Sequence, residues 1–350
     1  MDTVELLKAL SEQFGVSGFE EEIRDWIYGQ VKARVDDVRV DVLGNLMATI
    51  NPGGNLTLML DAHMDEIGIM VSYVEEAGFL RFAPIGGWDS RILPAKQVEI
   101  KSRTGKKFRG VIGASPPHIQ TPEEQKQALK VEDLFVDIGV RSKEEVLDRG
   151  IDVGSPGTLH YPFQVLEQNR IMGKALDDRV GCAVLIRCLE HFSANRPDFT
   201  LVANFAVSEE VGLRGTKTAA HQIRPDIALA LEGTVGADTP GIPAHKCPAR
   251  LGKGPVISVA DKSIIVNPSL VAFMEGVAKA LNIPWQHKVP LFGSTDAGAI
   301  HVTGKGVLTG IVSVPCRYIH SPSSILDLQD FEHTVLFVRE LISRVREIKR

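Results

Sequence analysis

No stretch of the 350 residues approaches the roughly 18 uninterrupted apolar residues that a membrane-spanning helix needs. The opening Met1-Asp2-Thr3-Val4-Glu5 lacks both the basic start and the apolar core of a signal peptide. Cysteine is scarce. The four residues Cys182, Cys188, Cys247 and Cys316 form no CxxC pair and no framework spacing, which excludes a disulfide scaffold. Three of them sit in apolar or proline-flanked contexts, where a free thiol acts as a small buried hydrophobe. There is no Lys/Arg-rich run; 39 basic against 44 acidic residues leave a net charge of −5, so the chain carries no electrostatic footprint for DNA or RNA. GxxxxGK[ST], GxGxxG and GxSxG are all missing, and Gly252-Lys253-Gly254 is too short to cradle a phosphate. These absences predict a soluble, reduced, cytoplasmic protein that binds neither nucleic acid nor membrane.

What is present is the composition of a globular protein, 44% hydrophobic and 24% charged. At roughly 150 residues per domain, the length allows one large or two ordinary domains. Ser17 and Glu20 stand at capping-box spacing before Ile23, Ile27 and Val31, which recur at helical intervals. Residues 38–50 are β-rich around a Gly44-Asn45 turn, and the continuous apolar run 56–60 predicts a strand buried on both faces. From about 67 to 165 short alternating runs and turn residues take over, with a hairpin turn at 102–106 and one brief helix at 142–149. Beyond 166 the apolar runs 200–207, 227–231, 256–259 and 307–314 alternate with helical patterns at 179–192, 269–282 and 328–348. This arrangement predicts an α/β fold with a mixed sheet between helices. The predicted catalytic domain comprises residues 1–66 and 166–350, interrupted by a β-rich, barrel-like domain at 67–165.

Acidic and histidine residues gather just after the predicted buried strands. Run 56–60 leads into Asp61-Ala62-His63-Met64-Asp65-Glu66, run 200–207 into Ser208-Glu209-Glu210, run 227–231 into Glu232, and run 307–314 toward His320. Asp177-Asp178 precedes the helix beginning near Arg179. Ligand sites in open α/β sheets form at the carboxyl ends of strands. Each residue has a plainer alternative: a solvated histidine, a surface Glu pair, or an aspartate capping a helix. Delivered to one edge, however, they concentrate more negative charge than low dielectric tolerates without a cation. Imidazole and carboxylate without thiolate suit Zn²⁺, Co²⁺ or Mn²⁺. Two histidines with three or more carboxylates fit two ions rather than one. His118, His191, His221, His301 and His333 offer no ligand partner by spacing, and Ser294-Thr295-Asp296 reads as a pocket wall or a helix cap.

Five segments in order, Asp61–Gly68, Gly173–Arg179, Ser208–Gly212, Thr295–Gly298 and Arg317–Pro322, resemble the tetrahedral (TET) aminopeptidases, a dinuclear metallopeptidase family that includes glutamyl and deblocking enzymes. The resemblance spans nearly the whole chain. It implies that His63 binds one metal, that Asp177 bridges both, and that Glu210 and His320 complete the second metal's ligands. Glu232 falls where the family places a carboxylate for the first metal, often Asp. Asp65 would orient His63, and Glu209 would be the general base. The resemblance further implies two divalent ions per subunit (Zn or Co, with Mn possible), an inserted dimerisation domain and a homododecamer acting on short peptides. Ser294 and Asp296 are candidate substrate contacts.

Other functions remain open at this stage. Paired carboxylates also serve glycoside hydrolases, and some members of this family carry cellulase labels, but a glycosidase would leave the histidines without a role. A metal-dependent deacylase or carboxypeptidase and a non-catalytic assembly protein are the further alternatives.

Overall fold

The computed structural model describes residues 1–122, 126–127, 129–288 and 292–348. Helices α1 (Thr3–Glu12) and α2 (Glu21–Val31) open the chain. Sequence periodicity did not reveal α1, which is closed by a capping box in which the Asp2 carboxylate accepts the Glu5 amide and the Glu5 carboxylate accepts the Asp2 amide. Before α2 the structure departs from the expected cap. Glu20, not Ser17, takes the N-cap position, and the Ser17 hydroxyl donates instead to Asp65 at 2.6 Å.

Strands β1 (Asp37–Val40), β2 (Leu46–Ile50) and β3 (Thr57–His63) follow. The strands β4 (Gly68–Val74), β5 (Leu80–Ile85), β6 (Gln97–Lys101), β7 (Lys107–Gly113), β8 (Phe135–Asp137) and β9 (Pro156–Leu159) then close an antiparallel barrel in the order β4-β5-β8-β7-β6-β9. The short helix α3 (Lys143–Asp148) is capped by Ser142, which accepts the Glu145 amide. Ile69, Val71, Val98, Ile100, Ile112 and Val136 fill the barrel interior. Alternation along each strand puts these side chains inside.

The remaining elements belong to one mixed sheet and its helices: β10 (Gln164–Val165), β11 (Arg170–Gly173), α4 (Leu176–Ala194), β12 (Thr200–Ala206), α5 (Arg214–Ile223), β13 (Ile227–Gly236), β14 (Val256–Ile257), α6 (Pro268–Leu281), β15 (Gln286–His287), α7 (Ala297–Ile300), β16 (Leu308–Arg317), β17 (Ser324–Asp327) and α8 (Leu328–Ser343). The eleven-stranded sheet runs β1-β2-β12-β3-β13-β16-β17-β11-β10, with β14 pairing β16 and β15 pairing β14. Its centre, β12-β3-β13-β16, is parallel, so four carboxyl ends share one edge. Leu58 and Leu60 of β3 pack into the core with α4 and α8, while Met59 packs on the opposite face with Ala219 and Ala220 of α5. Burial on both faces explains the unbroken apolar run of β3. Each such Leu contributes roughly 1.5–3 kcal/mol. No helix among the described residues is long and apolar enough to cross a membrane.

A buried ion pair joins the barrel to the sheet. Lys174, just before α4, donates to both Glu66 carboxylate oxygens at 2.6 and 2.8 Å and to the Gln13 carbonyl at 2.9 Å. Thr158 of β9 donates to the same Glu66 at 2.9 Å. An ammonium buried this deeply is tolerated because the carboxylate and carbonyl satisfy it.

Candidate metal centre

The parallel strands deliver the site. His63 is the last residue of β3, whose partner in β12 is Ala206, and the chain leaves β12 through Ser208 into Glu209 and Glu210. Glu232 lies within β13 rather than after it, a difference from the expected strand end: β13 runs on to Gly236 against β16. Its pairing with β3 stops at Ala230 opposite Asp61, and the same register continued sets Glu232 level with His63, the last residue of β3. His320 follows β16. Ser208, Tyr318 and His320 all have left-handed φ, between 56° and 58°, sharp turns that re-aim the following side chains over the sheet edge.

Asp177 lies between the two imidazoles. Its Oδ1 is 3.4 Å from His63 Nε2 and its Oδ2 is 3.6 Å from His320 Nε2. His63 Nε2 also faces Glu209 at 3.8 Å and Glu232 at 3.9 Å, and His320 Nε2 faces Glu210 at 3.4 Å. Most of these gaps are long for hydrogen bonds. They match the spacing of ligands around an ion: atoms about 2.1 Å from one tetrahedral cation stand about 3.4 Å from one another. Three overlapping groups have ligand atoms within 4.8 Å of one another: His63, Asp178 and Glu232; His63, Glu209 and Glu210; and Asp177, Glu210 and His320.

The imidazoles are oriented for coordination. His63 Nδ1 lies 3.1 Å from the Asp65 carbonyl and His320 Nδ1 2.8 Å from the Gly87 carbonyl. With Nδ1–H donated to a carbonyl, each Nε2 lone pair points into the site. Gly87 lies just beyond β5, so the barrel segment aims a residue of the sheet. A Cβ at Gly87 would stand 3.2 Å from His320 Nδ1. Gly87→Ala is therefore expected to displace the ring by a few tenths of an ångström and to weaken retention of one ion about tenfold, measured by competition with a chelator.

Charge is crowded here. Burial pushes Glu209 up to about 7 and Glu210 to about 8; neighbouring carboxylates add to the rise and the histidines oppose it. Burial also drives Asp178 and Glu232 well above the ordinary carboxyl range. His320 is raised to about 10, because Asp177 and Glu210 outweigh burial. Two imidazolium charges do not balance so many carboxylates, and divalent cations suit the donor set. Asp178 is completely buried; its Oδ1 accepts the Gly181 amide, as a helix cap does, while its Oδ2 has no hydrogen-bond partner among the described residues. Capping thus describes Asp178, whereas Asp177 faces the histidines.

Asp65 acts on more than His63. Its carboxylate stands 3.5 Å from His63 Nδ1 and accepts the Glu209 amide at 3.0 Å and the Glu210 amide at 3.2 Å. Asp61 is structural, accepting from Asn204 at 2.6 Å and Thr216 at 2.9 Å. Ser294 lines a cavity of about 730 Å³ that opens on His63, Asp177, Glu209, Glu210, Glu232 and His320. Asp296 lies behind that wall, 1% exposed, with its amide donating to Glu232. None of His118, His191, His221, His301 and His333 joins a metal-holding group among the described residues.

The sequence marks Glu20 only as half of a capping box, not as a neighbour of the site, where it accepts from the Ser208 amide at 3.1 Å and the Gly18 amide at 2.8 Å. Burial, with Asp65 nearby, raises it to about 7 against 4.5. The folded protein therefore holds this proton more tightly than the unfolded chain. Its contribution to stability is present below about 4.5 and is lost as pH rises through about 7, by up to about 3 kcal/mol. Glu20→Gln should remove that loss and become progressively more stable relative to the parent between pH 5 and 8. Paired thermal-shift curves check this, and a constant difference across the range would contradict it.

Residues 44–337 match the M42 glutamyl aminopeptidase family. The chain belongs to this family. A TET aminopeptidase from Thaumarchaeota archaeon SCGC AB-539-E09 is 38% identical, with 97% of this chain and 96% of that one covered at a TM-score of 0.94. The TET1 peptidase of Pyrococcus horikoshii, described as assembling into a tetrahedron or a large octahedral shell, is 34% identical, with 97% and 99% covered at 0.87. A lysyl aminopeptidase of Pyrococcus furiosus is 34% identical over 98% of this chain and 97% of its own. The mixed sheet and inserted barrel are the architecture of these M42 and TET enzymes.

Proposed function

We propose that the protein is a cytoplasmic, metal-dependent aminopeptidase that trims short peptides using two divalent ions, Zn²⁺, Co²⁺ or Mn²⁺. His63, Asp177 and Glu232 would hold the first ion; Asp177, Glu210 and His320 would hold the second. The observation that carries this reading is Asp177 itself, with one oxygen toward each of two imidazoles whose other nitrogens are committed to carbonyls. When bound, such a pair of ions polarises the scissile carbonyl and lowers the pKa of an attacking water.

The protein supplies the rest. Glu209 would take the proton of the attacking water and return it to the leaving amine. Asp65 positions that base by accepting the Glu209 amide while fixing the loop that carries Glu210. The acidic wall attracts the substrate's free α-amine, which favours removal of N-terminal residues. Free, buried thiols at Cys182, Cys188, Cys247 and Cys316 fit a reducing compartment. The inserted segment 67–165 would pair subunits, and a similar TET1 structure described as a dodecamer, 33% identical, supports assembly into twelve subunits.

A panel of aminoacyl-p-nitroanilides tests the activity after overnight chelation and readdition of Co²⁺, Zn²⁺ or Mn²⁺. Release of p-nitroaniline should vanish on stripping and return with metal. No release from any substrate with any of the metals would contradict the reading.

A further inference from the structure

The active-site cavity has one cationic feature that the proposed chemistry does not use. Lys174, Arg179 and Lys288 are the buried Lys and Arg side chains among the described residues. Lys174 and Arg179 both face Glu66. Lys288, only 6% exposed, has no carboxylate partner among the described residues; its ammonium stands 5.3 Å from the centre of the Phe292 ring. It is also the one Lys or Arg among the described residues that lines the cavity of about 730 Å³ shared with Glu209 and the proposed metal ligands.

Its backbone is held in place. Lys288 directly follows β15 and its amide donates to the Ile257 carbonyl of β14, which in turn pairs with β16. Gly293 leaves space beside the amine: a Cβ there would lie 3.9 Å from Nζ. Lysine is seldom buried so deeply without a partner, because removing an ammonium from water costs several kcal/mol. A counter-charge arriving with the substrate resolves that cost.

We propose that Lys288 is a specificity residue that receives a side-chain carboxylate on the substrate's N-terminal residue, selecting Glu and Asp. This rests on the aminopeptidase reading above. The cavity then matches such a residue end to end: carboxylates at the proposed metal end draw the α-amine, and the ammonium draws the acidic side chain. A lysine side chain would meet like charge. The family description names a glutamyl activity while one similar relative is a lysyl enzyme, so membership alone does not choose between them.

The test compares kcat/KM of the metal-loaded protein on Glu-, Gln-, Leu- and Lys-p-nitroanilide, with Leu-Gly and Leu-Gly-amide alongside. A charge-assisted hydrogen bond should favour Glu over Gln by about 10- to 100-fold, and the ratio should fall as salt rises. Lys288→Met should collapse the Glu:Gln ratio, Lys288→Arg should restore most of it, and Lys288→Glu should move preference toward Lys. Equal rates for Glu and Gln in the unaltered protein would overturn the proposal while leaving the aminopeptidase reading intact. So would a preference for Leu-Gly over its amide that Lys288→Met abolishes, since the ammonium would then bind the peptide's terminal carboxylate. Silence on every substrate would remove both.

Discussion

Glu209→Gln should lower kcat by about 10²- to 10⁴-fold while both ions stay bound. Glutamine has the volume and hydrogen-bonding reach of glutamate but cannot accept and return a proton. The substitution leaves the backbone amide of residue 209 on Asp65, so the loop carrying Glu210 stays in place. Glu209 Oε2 is 3.8 Å from His63 Nε2, close to the reacting region without being required by either proposed set of three ligands. Metal content measured beside turnover separates a lost proton acceptor from a lost ion. Turnover within tenfold of the parent would assign the base elsewhere.

Asp177→Asn should be at least as damaging, by a different route. The two carboxylate oxygens of Asp177 face different imidazoles, at 3.4 and 3.6 Å, and an amide offers only one oxygen to that pair of positions. Metal content should fall from two ions per subunit to one or fewer. Activity should drop by about 10³-fold or more, because a lone ion no longer holds carbonyl and attacking water together. Circular dichroism should remain native, since the core around α4 does not depend on this side chain. Two ions and near-normal activity in the variant would contradict a bridging role. A metal-free glycosidase would also tolerate the substitution poorly, but would not lose activity on chelation.

Much of the site was legible in the sequence because buried parallel strands announce themselves as unbroken apolar runs, and the chemistry gathers at their carboxyl ends. His63 and Glu209-Glu210 follow from that rule alone. Glu232 follows it less directly: its strand overshoots its neighbour β3, a matter of relative strand length that one segment cannot reveal. Ser17 and Glu20 have the spacing of a capping box, yet the fold turns Ser17 to Asp65 and Glu20 to the Ser208 turn. The Gly87 carbonyl that orients His320 is 233 positions away in sequence and carries no side-chain signal. Lys288 is equally silent, since an unpaired buried cation is recognisable only once its surroundings are known.

The central claim is that separate segments converge on two divalent ions sharing Asp177. Anomalous diffraction from crystals of the metal-loaded protein tests it most directly. The account predicts two peaks per subunit about 3.5–4 Å apart, one against His63 and Glu232, the other against Glu210 and His320, with Asp177 touching both. A single peak, or peaks that leave Asp177 without contact, would contradict it.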